Sequence, residues 1–286
     1  MTKTHILKQE LFDSHAHWGM IGGHQEESLI NAQLKGIFPA AIKVQEDIDK
    51  SYVFQMVGIV SPGTTIDSSR QSLIFAQKYP LFYAAIGIHP NNTGNVNNND
   101  WSEIVELSKN QYVTAIGETG LDRYWDTAPF EKQIQFFERH LGLARERQLP
   151  VIIHSRDCDD DMLAVLGNIA KKSPIYGVIH SFSSTPDVAE RYLDMGLYIS
   201  FSGAVTYTNR KFSNLRESAK IIPDERLLIE TDSPFLTPHP YRGKLDNNVP
   251  LMTVFVAKTL AELRGTSLET IVTITTANAK KIFRKK

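Results

Sequence analysis

The chain has 286 residues, 42% of them hydrophobic and 22% charged, which is ordinary for a globular protein and leaves ample apolar material for a core. A formal net charge of −1 excludes a global basic field, so contact with nucleic acid needs a local positive patch or bound cations. The only cysteine, Cys158, excludes an intrachain disulfide and fits a reducing compartment; with no apolar run of about 18 residues and no secretory leader pattern, the expected location is cytoplasmic, with no membrane.

Eight short apolar, β-branched runs alternate with longer helix-like stretches. In chain order they are LFDSHAH (11–17), VFQMVGIV (53–60), YAAIGIHP (83–90), YVTAIGETGLD (112–122), PVIIHSR (150–156), YGVIHSF (176–182), LYISFSG (197–203) and RLLIETDSP (226–234). Phe130 to Gln148 and Pro186 to Met195 read as helices between them. Strands alternating with helices predict βαβ units on a parallel sheet, and eight units predict a closed (β/α)8 TIM barrel. A doubly wound open sheet is the alternative, but no glycine-rich phosphate fingerprint follows the first run. Such barrels commonly form one domain of about 250 residues, and no linker divides this chain, so a single domain over 1–286 is expected. Trp18 to Tyr52 is long for one βα connection and predicts an extra loop or helix. Asn91 to Asn99 reads as a surface excursion.

Strands of a parallel barrel are buried on both faces and should be almost wholly apolar. These runs break that rule near their C-terminal ends, at His15, His17, His89, Glu118, His154, His180 and Asp232. In this fold that rim is where active sites lie. Residues i and i+2 of a strand share a face, so His15 and His17 project together and suit one cation. Four histidines with Glu118 and Asp232 form a mixed nitrogen and oxygen donor set, fitting Zn²⁺, Mn²⁺, Co²⁺ or Fe²⁺ better than Ca²⁺. Six ligands, one of them a carboxylate able to bridge, point to two divalent metal ions. His5, His140 and His239 fall outside the pattern and read as surface residues; His24 is ambiguous. Cys158 reads as a small filler near the rim. Trp18 has two readings, a plug packed on the rim or a stacking platform for an unpaired base.

These motifs together resemble the TatD family of metal-dependent deoxyribonucleases, within the amidohydrolase-like barrels. The resemblance runs from FDSHAH (12–17) through IGIHP (86–90), IGETGLD (116–122), VIIHSRD (151–157), VIHSFSS (178–184) and IETDSPFLTP (229–238) to TTANAKKIF (275–283). It implies one metal (Zn, Mn, Mg, Co or Fe) on His15, His17 and Asp232, a second on His154 and His180, and Glu118 between them. It further implies that His89 lies near the scissile phosphate and that Arg156 and Arg242 lie close to substrate phosphates. The chain departs from the family pattern at Gly19, where an acidic residue is usual, at HSFSS in place of HCFSG, and at Asn248 in place of a glutamate.

The resulting expectation is a hydrolase using a metal-activated water, with Asp232 as general base, and Asp122 or Tyr124 as further contributors. The implied substrate and partner is DNA, degraded as by a 3′–5′ exonuclease on single strands. The alternative is hydrolysis of an acyl centre, as a lactonase, amidase or aminoacyl-tRNA deacylase. Related barrels often bridge their metals with a carbamylated lysine on the fourth strand; Glu118 in that place favours the nuclease branch. A non-enzymatic scaffold is a third reading, against which the intact ligand set argues.

Overall fold

The computed structural model describes residues 7–21, 52–171, 174–245 and 247–285. Eight strands lie side by side in sequence order: β1 Leu7–Asp13, β2 Tyr52–Pro62, β3 Phe82–Ile86, β4 Val113–Asp122, β5 Val151–Arg156, β6 Gly177–Ile179, β7 Tyr198–Phe201 and β8 Leu227–Ile229. Every neighbouring pair from β1 to β8 is parallel. The edges meet just beyond the ends of β1 and β8. There Ala16 and Ser233 form a parallel bridge, and the backbone N–H groups of Ser14, Asp232 and His17 donate to the carbonyls of Ile229, His15 and Ser233 at 3.1, 2.9 and 2.8 Å. The sheet is therefore a nearly closed TIM barrel, as the alternating pattern predicts.

The described helices are α1 Ile66–Lys78, α2 Asn98–Leu107, α3 Phe130–Arg147, α4 Asp159–Ala170, α5 Pro186–Asp194, α6 Ser213–Ile221, α7 Thr253–Arg264 and α8 Leu268–Ile282. Sequence dictates several of their limits. Thr65 and Asn97 cap α1 and α2 with reciprocal capping boxes, and Gly265, at φ 62°, ends α7, a left-handed turn that costs glycine least. None of these helices is long and apolar enough to cross a membrane.

One buried residue from each strand, such as Phe12, Ile152 and Leu228, packs in a central cluster with Ala279, Ile282 and Phe283. The C-terminal helix thus plugs the N-terminal end of the barrel. Space there is shared unequally. Phe12 lies over Gly58, where a Cβ would come within 2.2 Å of its ring. A larger cluster fills the layer between strands and helices. The C-terminal mouth gathers a set of buried ionisable groups, among them His15, Glu118, His180 and Glu230.

Two expectations need correction, and the structure decides between the two readings of Trp18. His140 is not on the surface: it is fully buried, Nδ1–H donating to the Phe136 carbonyl at 2.6 Å and Nε2 accepting from Ile88 N–H at 3.1 Å. Burial pushes its pKa down to about 4. The segment from Asn91 is no mere excursion, because a 3-10 turn over Pro90–Asn95 tucks Pro90 and Thr93 inside. Trp18 is a plug: it is 3% exposed, with its ring 5.1 Å from that of Phe82. His239 is exposed, as expected, and Cys158 is buried. His5, His24 and most of the long first connection lie outside the described residues.

Candidate metal centre

The strands end earlier than the apolar runs do. β1 stops at Asp13, β6 at Ile179 and β8 at Ile229, so His15, His17, His180 and Asp232 stand on the first residues beyond the ladder. Asp13 fixes that exit. It is fully buried and accepts from His15 N–H at 3.2 Å, Thr231 N–H at 2.9 Å and the Thr231 hydroxyl at 2.5 Å. One side chain thus ties the segment carrying both histidines to the segment carrying Asp232. Asp232 itself has φ 57°, a left-handed conformation uncommon for a residue with a side chain. Asn248 holds it from the other side, its amide donating to the carbonyls of Thr231 at 2.9 Å and Phe235 at 2.7 Å.

Glu118 comes from β4, at a register shift between Ile116 and Thr119. Neighbouring Gly120 has φ 146°, and a Cβ there would lie 2.0 Å from the His154 carbonyl oxygen, so only glycine lets β4 and β5 approach. The carboxylate is 2% exposed, and its two oxygens face different ligand groups. Oε2 lies 3.3 Å from His15 Nε2 and 3.6 Å from His17 Nε2. Oε1 lies 2.9 Å from His180 Nε2 and 3.1 Å from His154 Nδ1.

The first group is completed by Asp232 Oδ1, 3.8 Å from His15 Nε2 and 3.4 Å from His17 Nε2, with the two ring nitrogens 3.3 Å apart. A tetrahedron of ligands about 2.0–2.2 Å from a cation has edges of roughly 3.3–3.6 Å. Four of these five separations fall in that range, and the fifth, His15 Nε2 to Asp232 Oδ1, is 3.8 Å. Glu118 Oε2 and Asp232 Oδ1 are also buried with no hydrogen-bond partner, a costly condition that a cation relieves. In the second group His154 Nδ1 and His180 Nε2 are 3.3 Å apart. Their far nitrogens are engaged by carboxylates: His154 Nε2 with Asp122 Oδ2 at 3.0 Å, His180 Nδ1 with Glu230 Oε1 at 3.2 Å. Each carboxylate accepts a hydrogen bond from the ring N–H and so turns the opposite nitrogen toward Glu118, the usual orienting device behind a metal-binding histidine. The residues present therefore fit metal binding.

His89 behaves differently. Its Nδ1 accepts from Asn91 N–H at 3.2 Å, so in the neutral ring Nε2 carries the proton. That N–H points to Glu118 Oε1, 3.4 Å away. It is a donor beside the ligand groups.

The charges are strongly coupled. Burial works against the charge of Glu118, but the rings of His180, His89 and His15 outweigh it and hold the carboxyl well below its ordinary range. Burial likewise opposes a charged His180, and Glu118 and Glu230 outweigh it, holding that ring well above the usual imidazole range. A field that attracts protons this strongly attracts cations too, so metal binding here displaces protons.

A model of the TatD-related DNase family matches residues 12–284, which takes in every ligand residue described. The chain belongs to that family. Like its TatD relatives it is a metal-dependent hydrolase. It is 38% identical over 274 residues to the uncharacterized metal-dependent hydrolase YabD of Bacillus subtilis, covering 96% of this chain and 99% of that one. It is 40% identical over 200 residues to YcfH of Escherichia coli, likewise described as an uncharacterized metal-dependent hydrolase, covering 69% and 72%. Among solved structures, the TatD homologue YjjV of E. coli superposes with a TM-score of 0.81 at 27% identity, over 96% of this chain and 97% of that one.

At the mouth of this TatD barrel the two arginines stand exposed, each lying on a tyrosine ring: Arg156 3.7 Å from the centre of Tyr124, Arg242 3.7 Å from that of Tyr207. Sequence reasoning missed Glu230 and Asp13. Glu230 stands two residues before Asp232, the same spacing that singles out His15 and His17, and that was the available signal. Asp13 had none, since its partner Thr231 lies 218 residues away.

Proposed function

We propose that this TatD-family protein hydrolyses phosphodiester bonds of single-stranded DNA, working from the 3′ end, with two divalent cations. His15, His17 and Asp232 would hold one and His154 and His180 the other, with Glu118 between. The observation that carries the reading is the division of Glu118, one oxygen toward each histidine pair. Bound divalent cations at such a site lower the pKa of water and offset charge on a phosphoryl group.

The chain's own residues supply the rest. Asp232 is held below the ordinary carboxylate range: burial opposes its charge, and His17, His15 and His180 outweigh it. It is therefore ionised at neutral pH and can take a proton from an attacking water. His89 Nε2–H offers a donor to a phosphate oxygen. Arg156 and Arg242 supply positive charge for neighbouring phosphates, in a protein with no global basic field. The ligands' depth supports a single strand over a duplex as substrate, since His15 is fully buried.

The test is a side-by-side assay on a 5′-labelled oligonucleotide, a lactone panel and an aminoacylated tRNA, each with Mn²⁺, Mg²⁺ or Zn²⁺ and with chelator. The expected result is metal-dependent shortening of the oligonucleotide one residue at a time. Turnover of a lactone or of the charged tRNA, with the oligonucleotide intact, would move the protein to acyl chemistry.

A further inference from the structure

With Trp18 buried as a plug, exposed aromatic rings elsewhere on the mouth need an explanation. Tyr124 and Trp125 follow β4 directly and are 54% and 51% exposed. Leaving a tryptophan half in water forgoes the burial that usually places it in a core. The backbone here is nonetheless firmly set. Asp122 Oδ1 accepts from the N–H groups of both Tyr124 and Trp125, at 2.8 and 3.1 Å, while Oδ2 engages His154 Nε2 at 3.0 Å and accepts from the Asn91 amide at 3.1 Å. One carboxylate thus positions a candidate metal ligand and the aromatic pair together. The rings meet edge to face, centres 4.9 Å apart. The Arg156 guanidinium lies 3.7 Å above Tyr124 and 5.9 Å from Trp125.

We propose that Trp125 is a stacking platform for an unpaired nucleobase beside the scissile phosphate, with Arg156, seated on Tyr124, taking the adjoining phosphate. The proposal rests on the phosphodiesterase reading above and deepens it, since it makes the enzyme read the base as well as the backbone. A nucleotide is the ligand that offers a flat apolar ring and an anion at neighbouring positions, matching a free indole face next to a guanidinium. An apolar protein segment would answer only the ring and would leave the arginine covered without a partner.

Two measurements test this. In steady state, an intact single strand and one abasic at its 3′-terminal positions are compared. Wild type should favour the intact strand in KM about 5- to 100-fold; Trp125→Ala should erase that preference, and Trp125→Phe should keep part of it. In binding, catalytically silenced Asp232→Asn protein is titrated with oligonucleotide. Tryptophan fluorescence should be quenched, and the quenching should vanish when Trp125→Phe is added, because Trp18 is buried and Trp101 packs against His140 in the helical layer. Since the Trp125 side chain is half exposed, both variants should melt with the wild type; a variant that does not is replaced by Trp125→Tyr. A wild type that cuts DNA while Trp125→Ala retains full base preference overturns the stacking proposal alone. Quenching that survives Trp125→Phe overturns it as well. A wild type that neither binds nor cuts any single strand overturns both the proposal and the reading beneath it.

Discussion

His154 donates through Nε2 to Asp122 Oδ2 at 3.0 Å, and this bond decides that Nδ1 faces Glu118. Without it the ring is free to carry its proton on either nitrogen. Asp122→Ala should therefore weaken the proposed metal site at His154 and His180 about 10- to 100-fold and spare the one proposed at His15, His17 and Asp232. Chelator-competition titrations with Mn²⁺ or Zn²⁺ resolve the two sites. Equal affinity in variant and wild type would mean that packing alone orients the ring.

Asp232→Asn keeps the shape of the side chain and loses its basicity. Turnover at saturating metal should fall about 10²- to 10⁴-fold, with at least one ion still bound by elemental analysis. A variant retaining more than about a tenth of the wild-type rate would show that another group accepts the proton.

Trp18 is buried in a cluster with Phe82 and Phe75, its ring 5.1 Å from that of Phe82. Trp18→Ala should cost about 3–5 kcal/mol of stability, read as a fall in melting temperature. Any loss of activity should then follow the folded fraction and affect all substrates alike. A change in KM confined to oligonucleotides, with stability intact, would contradict this placement.

His140 gives a pH dependence whose sign follows from its burial. Its pKa is near 6.5 when unfolded and about 4 in the fold. Between these values the unfolded chain binds the proton and the folded chain does not, so stability falls as pH drops from 6.5 toward 4. The full loss is about 3 kcal/mol. Protonation at Nε2 would also set an N–H against the Ile88 N–H that now donates there. His140→Gln lacks this term, so wild type should lose stability relative to it across that interval in urea titrations at stepped pH. Parallel curves for the two proteins would show that the buried ring carries no such term.

The barrel was legible because each strand carries its own apolar run, and runs of that kind need no long-range information. The candidate ligands were legible because a histidine or carboxylate at such a run's end conflicts with burial. The exact strand limits were not. The chain leaves the ladder before an apolar run is over where the backbone turns left-handed, as at Ser181 with φ 44° and Asp232 with φ 57°. Asp13 and His140 were hidden for another reason. Each is satisfied by a partner 218 or 52 residues away, and no local pattern encodes such a pairing. Asn248 was noted only as a departure from the family, although its amide ties down the loop that bears Asp232.

The seam between β1 and β8 also bears on how the protein comes into being. Ser14 bonds to Ile229 across 215 positions of chain, and the same contacts bring Asp232 to His15 and His17. During synthesis the first ligand pair emerges early and waits until nearly the whole chain has been made before its third member arrives. Long-range closures of this kind form late in folding. Completing the barrel and assembling the ligand group are then one event, so a chain halted before residue 232 would lack the third member of that group and could not act as a hydrolase near the ribosome that is making it.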